Sequence, residues 1–151
     1  MRTLVARQDC SASPADAWYA LRGFRWSVPA RDVVAYDAAE VGQEQRVEVG
    51  GRPTELIYGA LELRCRIVAL EHERRMSVSV RWRRVLNAVF TFEIVPAEEG
   101  CNLVHTRLYR GLVTRYLAAL WRAREEEEQA AVLRDWCWEA GSIAAQRRWA
   151  V

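Results

Sequence analysis

The sequence predicts an α+β domain in which a curved antiparallel sheet holds a long C-terminal helix around an apolar space. Three observations lead there. Residues 32–110 read mainly as strands, alternating apolar and polar positions between short turns. After Gly111 the apolar period changes from two to three and four. Seven tryptophans occur in 151 residues. Each needs a large slot and a partner for its indole N–H, so some are expected to line a cavity, a cleft or an interface.

Residues 2–9 alternate as a first strand. Ser13-Pro14-Ala15-Asp16 then signals a helix start, with Ser13 as cap, Pro14 in the first helical position and Asp16 in the positive first turn. This short helix turns Ala17, Trp18 and Leu21 inward and stops near Gly23. Phe24 to Val28 is expected to add another turn or two of helix before Pro29. Strands follow at 32–37 and 44–49, then the turn Gly50-Gly51; residues 52–60 are ambiguous. In 61–70, Leu61, Leu63, Cys65, Ile67 and Ala69 share one face. Glu71 to Arg75 is a charged turn. Met76, Val78, Val80 and Trp82 face one way on the next strand, and Asn87 marks a break. Phe90, Phe92 and Ile94 alternate before the polar turn Pro96 to Gly100, and 102–110 is the last strand. Short turns between neighbours imply an antiparallel meander. The helix after Gly111 carries Leu112, Tyr116, Leu120, Ala123, Ala130, Leu133, Cys137, Ala140 and Ala144 on one stripe. Its length predicts a break or bend near 118–124. An apolar sheet face and an apolar helix stripe must each be buried, most simply against each other. No repeat or linker divides residues 1–151, which read as a single domain.

Composition narrows the chemistry. The net charge is +2 and all 22 basic residues are arginine. Without lysine there is no side-chain amine for a Schiff base and no P-loop. Cys10, Cys65, Cys101 and Cys137 are scattered, with no CxxC or zinc-ribbon spacing. The first residues carry no apolar stretch of signal-peptide length, so a cytoplasmic protein with free thiols and no stabilising disulfide is expected. LVTRYLAALW is interrupted by Arg115 and is too short to span a bilayer. Arg74, Arg75, Arg81, Arg83 and Arg84 are offset by Glu71, Glu73 and Glu125 to Glu128. No helix-turn-helix or RNP-like strand accompanies them, so no nucleic-acid partner is expected. No HExxH or other metal pattern occurs, and neither a metal nor a cofactor is expected.

The order of elements resembles the START-like, or helix-grip, superfamily, which includes the polyketide cyclase/dehydrase-like and Bet v 1-like proteins (SRPBCC). The local matches are Ala12-Ser13-Pro14-Ala15-Asp16-Ala17-Trp18 after the first strand, Ile67-Val68-Ala69-Leu70-Glu71 before a charged turn, and Phe92-Glu93-Ile94-Val95-Pro96 before Glu99-Gly100-Cys101. Cys101 stands where members often have threonine. The resemblance implies a hydrophobic cavity between sheet and final helix. It carries no invariant catalytic motif onto these residues.

Trp82, Phe90 and Phe92 are assigned to the concave face and Tyr116 to the inward helix stripe, where they could stack on an aromatic guest or simply fill the core. Trp26 and Tyr58 are placed at the cavity mouth. On the last strand, Leu103, His105, Arg107 and Tyr109 share one face and Val104, Thr106 and Leu108 the other. With the first set inward, His105 could be a general base and Arg107 could hold an enolate or carboxylate. Because Val104 and Leu108 suit burial, His105 is expected to face outward. His72 reads as surface. Of Glu125 to Glu128, Glu127 is expected to approach the sheet.

The first functional expectation is binding of a small hydrophobic or aromatic molecule. The second is a polyketide-type aromatase/cyclase or dehydratase acting in the same cavity, which would bring His105, Arg107 or Tyr109 together inside it. The third is a non-catalytic structural or interaction module with a collapsed cavity. The ligand and the oligomeric state are not legible in the sequence.

Overall fold

The computed structural model describes residues 2–23, 25–27, 33–35, 44–49, 61–82, 84, 86–120 and 122–150. For 25–27, 33–35, 44–49, 61–65, Trp82 and 117–118 it describes the backbone. The ambiguous stretch 52–60, with Tyr58, lies outside the described residues.

Strand β1 (Arg2–Cys10) is followed by helix α1 (Pro14–Gly23). The Ser13 hydroxyl caps α1, accepting from the Asp16 N–H at 3.2 Å and donating to its carboxylate at 3.0 Å. This satisfies a backbone donor that the first helical turn leaves without a partner. Ala17, Trp18 and Leu21 point into the core as their spacing predicts.

The helix expected at Phe24 to Val28 is not formed. Strand β2 (Arg25–Ser27) pairs instead with β3 (Val33–Ala35), Trp26 lying opposite Val34. A segment of one turn between Gly23 and Pro29 is too short to offset helix nucleation, whereas a hairpin partner supplies its backbone bonds at once.

The main sheet has six strands in the order β1-β8-β7-β6-β5-β4. Here β4 is Glu44–Val49, β5 Leu61–Glu71, β6 Arg75–Trp82, β7 Leu86–Pro96 and β8 Cys101–Tyr109. The last five form a meander, and β1 returns beside β8 with Ala6 opposite His105 and Cys10 opposite Cys101. The alternation on β5 shifts at a bulge between Ile67 and Ala69, so Val68 is exposed and Leu70 packs toward the core. Asn87, read as a break, lies inside β7.

Past Gly111, whose φ of 84° is the left-handed conformation that glycine reaches without strain, come helices α2 (Leu112–Leu120) and α3 (Arg122–Trp149). The break expected near 118–124 falls where α2 and α3 adjoin at Trp121, which lies outside the described residues. The predicted inward stripe holds only in α3, and shifted. Gln129, Val132, Leu133, Trp136 and Ala140 are its buried residues. On α2, Leu112, Tyr116 and Leu120 face solvent, Tyr116 being 66% exposed. Among the described side chains of α2 Thr114 is buried, its hydroxyl accepting from the Asn87 N–H at 3.2 Å.

Helix α3 packs against α1, β1 and β8. Trp136 is fully enclosed, and its indole N–H donates to the Ala17 carbonyl at 2.9 Å. Leu133, Trp136, Ala140, Leu21, Met76, Val78, Phe92, Ile94 and Leu103 belong to one core. The Arg147–Asp16 ion pair, at 2.8 Å, closes the far end against α1. Trp136→Ala should cost roughly 3–5 kcal/mol through lost burial and the cavity left behind, read as a lower urea midpoint. Deleting 130–151 should abolish cooperative unfolding altogether, because it removes the buried stripe from Val132 onward.

Candidate functional site

The inner face of β8 carries the site. Leu103, His105, Arg107 and Tyr109 are all buried on it, with His105 only 1% exposed. The expectation that His105 faces outward is therefore corrected. Val104 is buried as well, so a criterion based on apolar character could not separate the two faces. The register decides. Phe92 lies opposite His105 and Phe90 opposite Arg107 on β7, and both rings turn to the same side as those partners.

Phe92 stacks on the His105 ring at 4.2 Å between centroids, 10° from parallel. Phe90 meets His105 edge-on at 5.8 Å, and its face lies 4.9 Å from the Arg107 guanidinium carbon. Phe92 also contacts Trp136 edge-on at 6.0 Å, which binds this wall to the core of α3.

The hydrogen bonds assign the histidine tautomer. His105 Nδ1 lies 3.2 Å from the Thr91 carbonyl oxygen, which can only accept, so Nδ1 carries the hydrogen. Arg107 Nε can only donate, and it donates to His105 Nε2 at 3.2 Å. The ring is therefore neutral with both nitrogens engaged. Burial first, and then the neighbouring guanidinium, lower its pKa to about 3. A lone pair already held by Arg107 is not free to take a proton from a substrate, so the general-base role considered for His105 does not fit this geometry.

Arg107 reaches onward to α3. Its Nη1 donates to Glu125 at 2.5 Å and to Glu128 at 3.4 Å. The Tyr109 hydroxyl also donates to Glu125. Burial opposes the charge on Arg107, but Glu125, Tyr109 and Glu128 together outweigh it and the guanidinium is held more firmly protonated. Burial and the adjacent Glu125 raise the Tyr109 pKa. Burial, then the like charge of Glu125, also raises that of Glu128, against the pull of Arg107. Arg124 pairs with Glu128 from the outside at 3.2 Å. One turn further along α3, the buried Gln129 amide donates to the carbonyls of Leu4 at 3.1 Å and His105 at 3.3 Å.

Glu125 and Glu128 thus take the place expected of Glu127, which is exposed. Residues 125, 128, 129, 132, 136 and 140 follow the helical spacing, but the polar residues at its start hid that stripe behind the alanines at 123 and 130. Of the aromatic candidates, Phe90 and Phe92 are together on the inner face. Trp26 and Trp82 lie on described strands with their side chains outside the described residues, as is Tyr58 entirely. Tyr116 is not on the inward stripe. It lines an open depression of about 580 Å³ between β1 and α2, with Arg2, Leu4, Leu112, Arg115 and Arg122. Among the described residues no group of three or more His, Cys, Asp or Glu is arranged to hold a metal ion, and no helix is long and apolar enough to cross a membrane.

The arrangement of sheet and helices recurs in solved structures of distant sequence. No family profile and no curated protein matches the chain. A protein from Nitrosomonas europaea aligns over 93% of this chain and 94% of its own, at 14% identity and a TM-score of 0.65. Norcoclaurine synthase from Thalictrum flavum, solved as a point mutant with a transition-state analogue, aligns over 97% and 96%, at 12% identity and a TM-score of 0.64. The di-domain ARO/CYC StfQ of the steffimycin biosynthetic pathway aligns over 97% of this chain and 51% of its own, at 17% identity and a TM-score of 0.62. The chain has the START-like, helix-grip fold of the Bet v 1-like proteins. At these identities the likeness concerns the fold.

The His105 geometry has a consequence for pH. Its folded pKa, about 3, lies below its ordinary value of 6.5. Between those values the unfolded chain binds a proton that the native ring refuses. This contribution to stability is complete above pH 6.5 and declines as pH falls toward 3, by up to about 1.4 kcal/mol per pH unit. Denaturant titrations should show that decline, and His105→Gln should flatten it. In NMR titration the His105 ring signals should stay fixed between pH 5 and 8. Glu125→Ala should destabilise the fold by roughly 3–5 kcal/mol, because it leaves a buried guanidinium short of its nearest partner. Urea unfolding checks it.

Proposed function

We propose that the protein binds a small hydrophobic or aromatic molecule between the inner sheet face and the C-terminal helix. The observation that carries this reading is Phe90. It lies on the inward side of β7 between buried Ala88 and buried Phe92, yet its own ring is only half-buried. It sits beside the desolvated Arg107 pair. An incompletely covered ring on an inner face is surface that a flat guest would cover by stacking. The adjacent guanidinium, tyrosine and carboxylates supply the few polar contacts that would orient it. Trp26, Tyr58, Trp82, Phe90 and Phe92 form the proposed lining. Similar folds support the reading by analogy, norcoclaurine synthase having been solved with a transition-state analogue in place.

One observation favours a second reading, an aromatase/cyclase or dehydratase type of enzyme. Arg107 and Tyr109 converge on Glu125 at the same inner face. Burial and the like charge of Glu125 move the Glu128 pKa upward, the direction that acid chemistry needs, and Arg107 would stabilise an enolate. StfQ, an ARO/CYC of similar fold, makes the comparison concrete. In that reading Glu128→Gln would lower turnover of a poly-β-ketone thioester at least a hundredfold while leaving its binding nearly unchanged.

Binding is tested with 1-anilinonaphthalene-8-sulfonate on the folded protein, in competition with flat polycyclic aromatics. Saturable, competable binding is expected, and Phe90→Ala should weaken it about tenfold or more with little change in Tm. No saturable binding, or affinity unchanged by Phe90→Ala, would leave a structural or interaction module as the better reading.

A further inference from the structure

Three thiols that are far apart in the sequence meet at one end of the sheet. Cys10 and Cys101 are the terminal register pair of β1 and β8, and both are buried. Gly100 makes this corner possible. A Cβ there would lie 2.1 Å from the Cys10 carbonyl oxygen, so only glycine lets the turn close onto the end of β1. Cys137 reaches the same corner from α3 and is partly exposed. Its Sγ lies 2.8 Å from the Sγ of Cys10 and 3.8 Å from the Asp9 carbonyl oxygen, and the Sγ of Cys10 lies 3.8 Å from the Cys137 carbonyl oxygen. All three are free thiols. The scattered positions of the cysteines gave no hint of this cluster.

We propose that Cys10 and Cys137 are a site of reversible oxidation by hydroperoxides, forming a disulfide that ties the C-terminal helix to β1. The two sulfurs need to close by only about 0.8 Å to reach covalent S–S distance. Their surroundings divide the roles. The Cys101 thiol, against the cost of burial, and then the Cys137 thiol and the Ala12 backbone bring the Cys10 pKa down to about 6. Cys10 is assigned as the attacking sulfur and the more exposed Cys137 as the resolving one. Burial, then the neighbouring Cys10, pushes Cys137 up to about 12, and it keeps its proton until the second step.

The Cys10 thiolate attacks one oxygen of the peroxide. The O–O bond breaks, giving a Cys10 sulfenic acid and hydroxide. Hydroxide takes the Cys137 proton and becomes water. The Cys137 thiolate then attacks the Cys10 sulfur, the S–S bond forms, and hydroxide leaves. Two electrons pass from the two sulfurs to the peroxide oxygens. The link joins residues 127 positions apart, so it strongly restricts the unfolded chain. It also pins α3 at the sheet corner, whatever the internal space binds.

The test uses the reduced full-length chain, freed of reductant and treated near neutral pH with a small excess of hydrogen peroxide. Free thiols are then alkylated, and peptides are mapped by mass spectrometry without reduction. The expected product is a Cys10–Cys137 linked pair within one chain. Two titratable thiols should be lost, and Tm should rise by about 10 °C, a gain that dithiothreitol removes. Cys137→Ser, at a partly exposed position, should fold and stop at a sulfenic acid on Cys10 that dimedone labels. A link through Cys65 or Cys101, a link between chains, or a dimedone label away from Cys10 would overturn the proposal. So would oxidation of the native protein no faster than that of free cysteine.

Discussion

Arg107 brings a charge into a sheet face otherwise lined by Leu103, His105, Phe90 and Phe92. Removing a guanidinium from water costs several kcal/mol, and only close counter-charges with good hydrogen-bond geometry offset it. Glu125 and Glu128 supply them from the first turns of α3. The helix must therefore arrive with those two positions facing the sheet. Once that rotation is set, the same helical face presents Gln129, Val132, Leu133, Trp136 and Ala140 to the core. A single buried cation thus accounts for the phase of a 28-residue helix.

The neutral state of His105 follows from the same charge. Arg107 uses one of its two ring nitrogens and the Thr91 carbonyl uses the other. The histidine becomes a spacer between the guanidinium and the stacked Phe92, with its two hydrogen bonds internal to the sheet. On the helix side the Glu128 carboxylate is shared between Arg107 and Arg124 and is partly accessible. The polar group and the half-covered Phe90 ring meet at Arg107. Apolar guest binding and acid or oxyanion chemistry would therefore draw on the same few residues.

The opposite end of α3 is governed by different contacts. Trp136 is bonded to the Ala17 carbonyl, Arg147 is paired with Asp16, and Cys137 rests on Cys10. The helix is held at the polar end by the Arg107 ion pairs and at the α1 end by packing, one hydrogen bond and one ion pair. The thiol cluster sits at the corner where β1, β8 and α3 meet, well placed to convert packing into a covalent tie.

Much of the architecture was legible in the residues. Alternation in Met76, Val78 and Val80 and in Phe90, Phe92 and Ile94 specified strands. Ser13 and Asp16 specified the start of α1, and the change of period at Gly111 specified the final helical stretch. These are local signals, set by backbone period and capping chemistry, which neighbours in sequence determine between themselves. The inward face of β8 was not legible, because Val104 and Leu108 are as apolar as the partners that chose the face, and strand period alone is symmetric between the two sides. The phase of α3 was hidden because its sheet-facing start is made of Glu125, Glu128 and Gln129, which read as a wet surface until Arg107 is known to lie across from them. The outward turn of Tyr116 goes with Thr114 taking the sheet-facing side of α2. The meeting of Cys10, Cys101 and Cys137 depends on strand register and helix docking together. Local periods determined the elements; only tertiary pairing across the sheet–helix interface decided which sides of them became the interior.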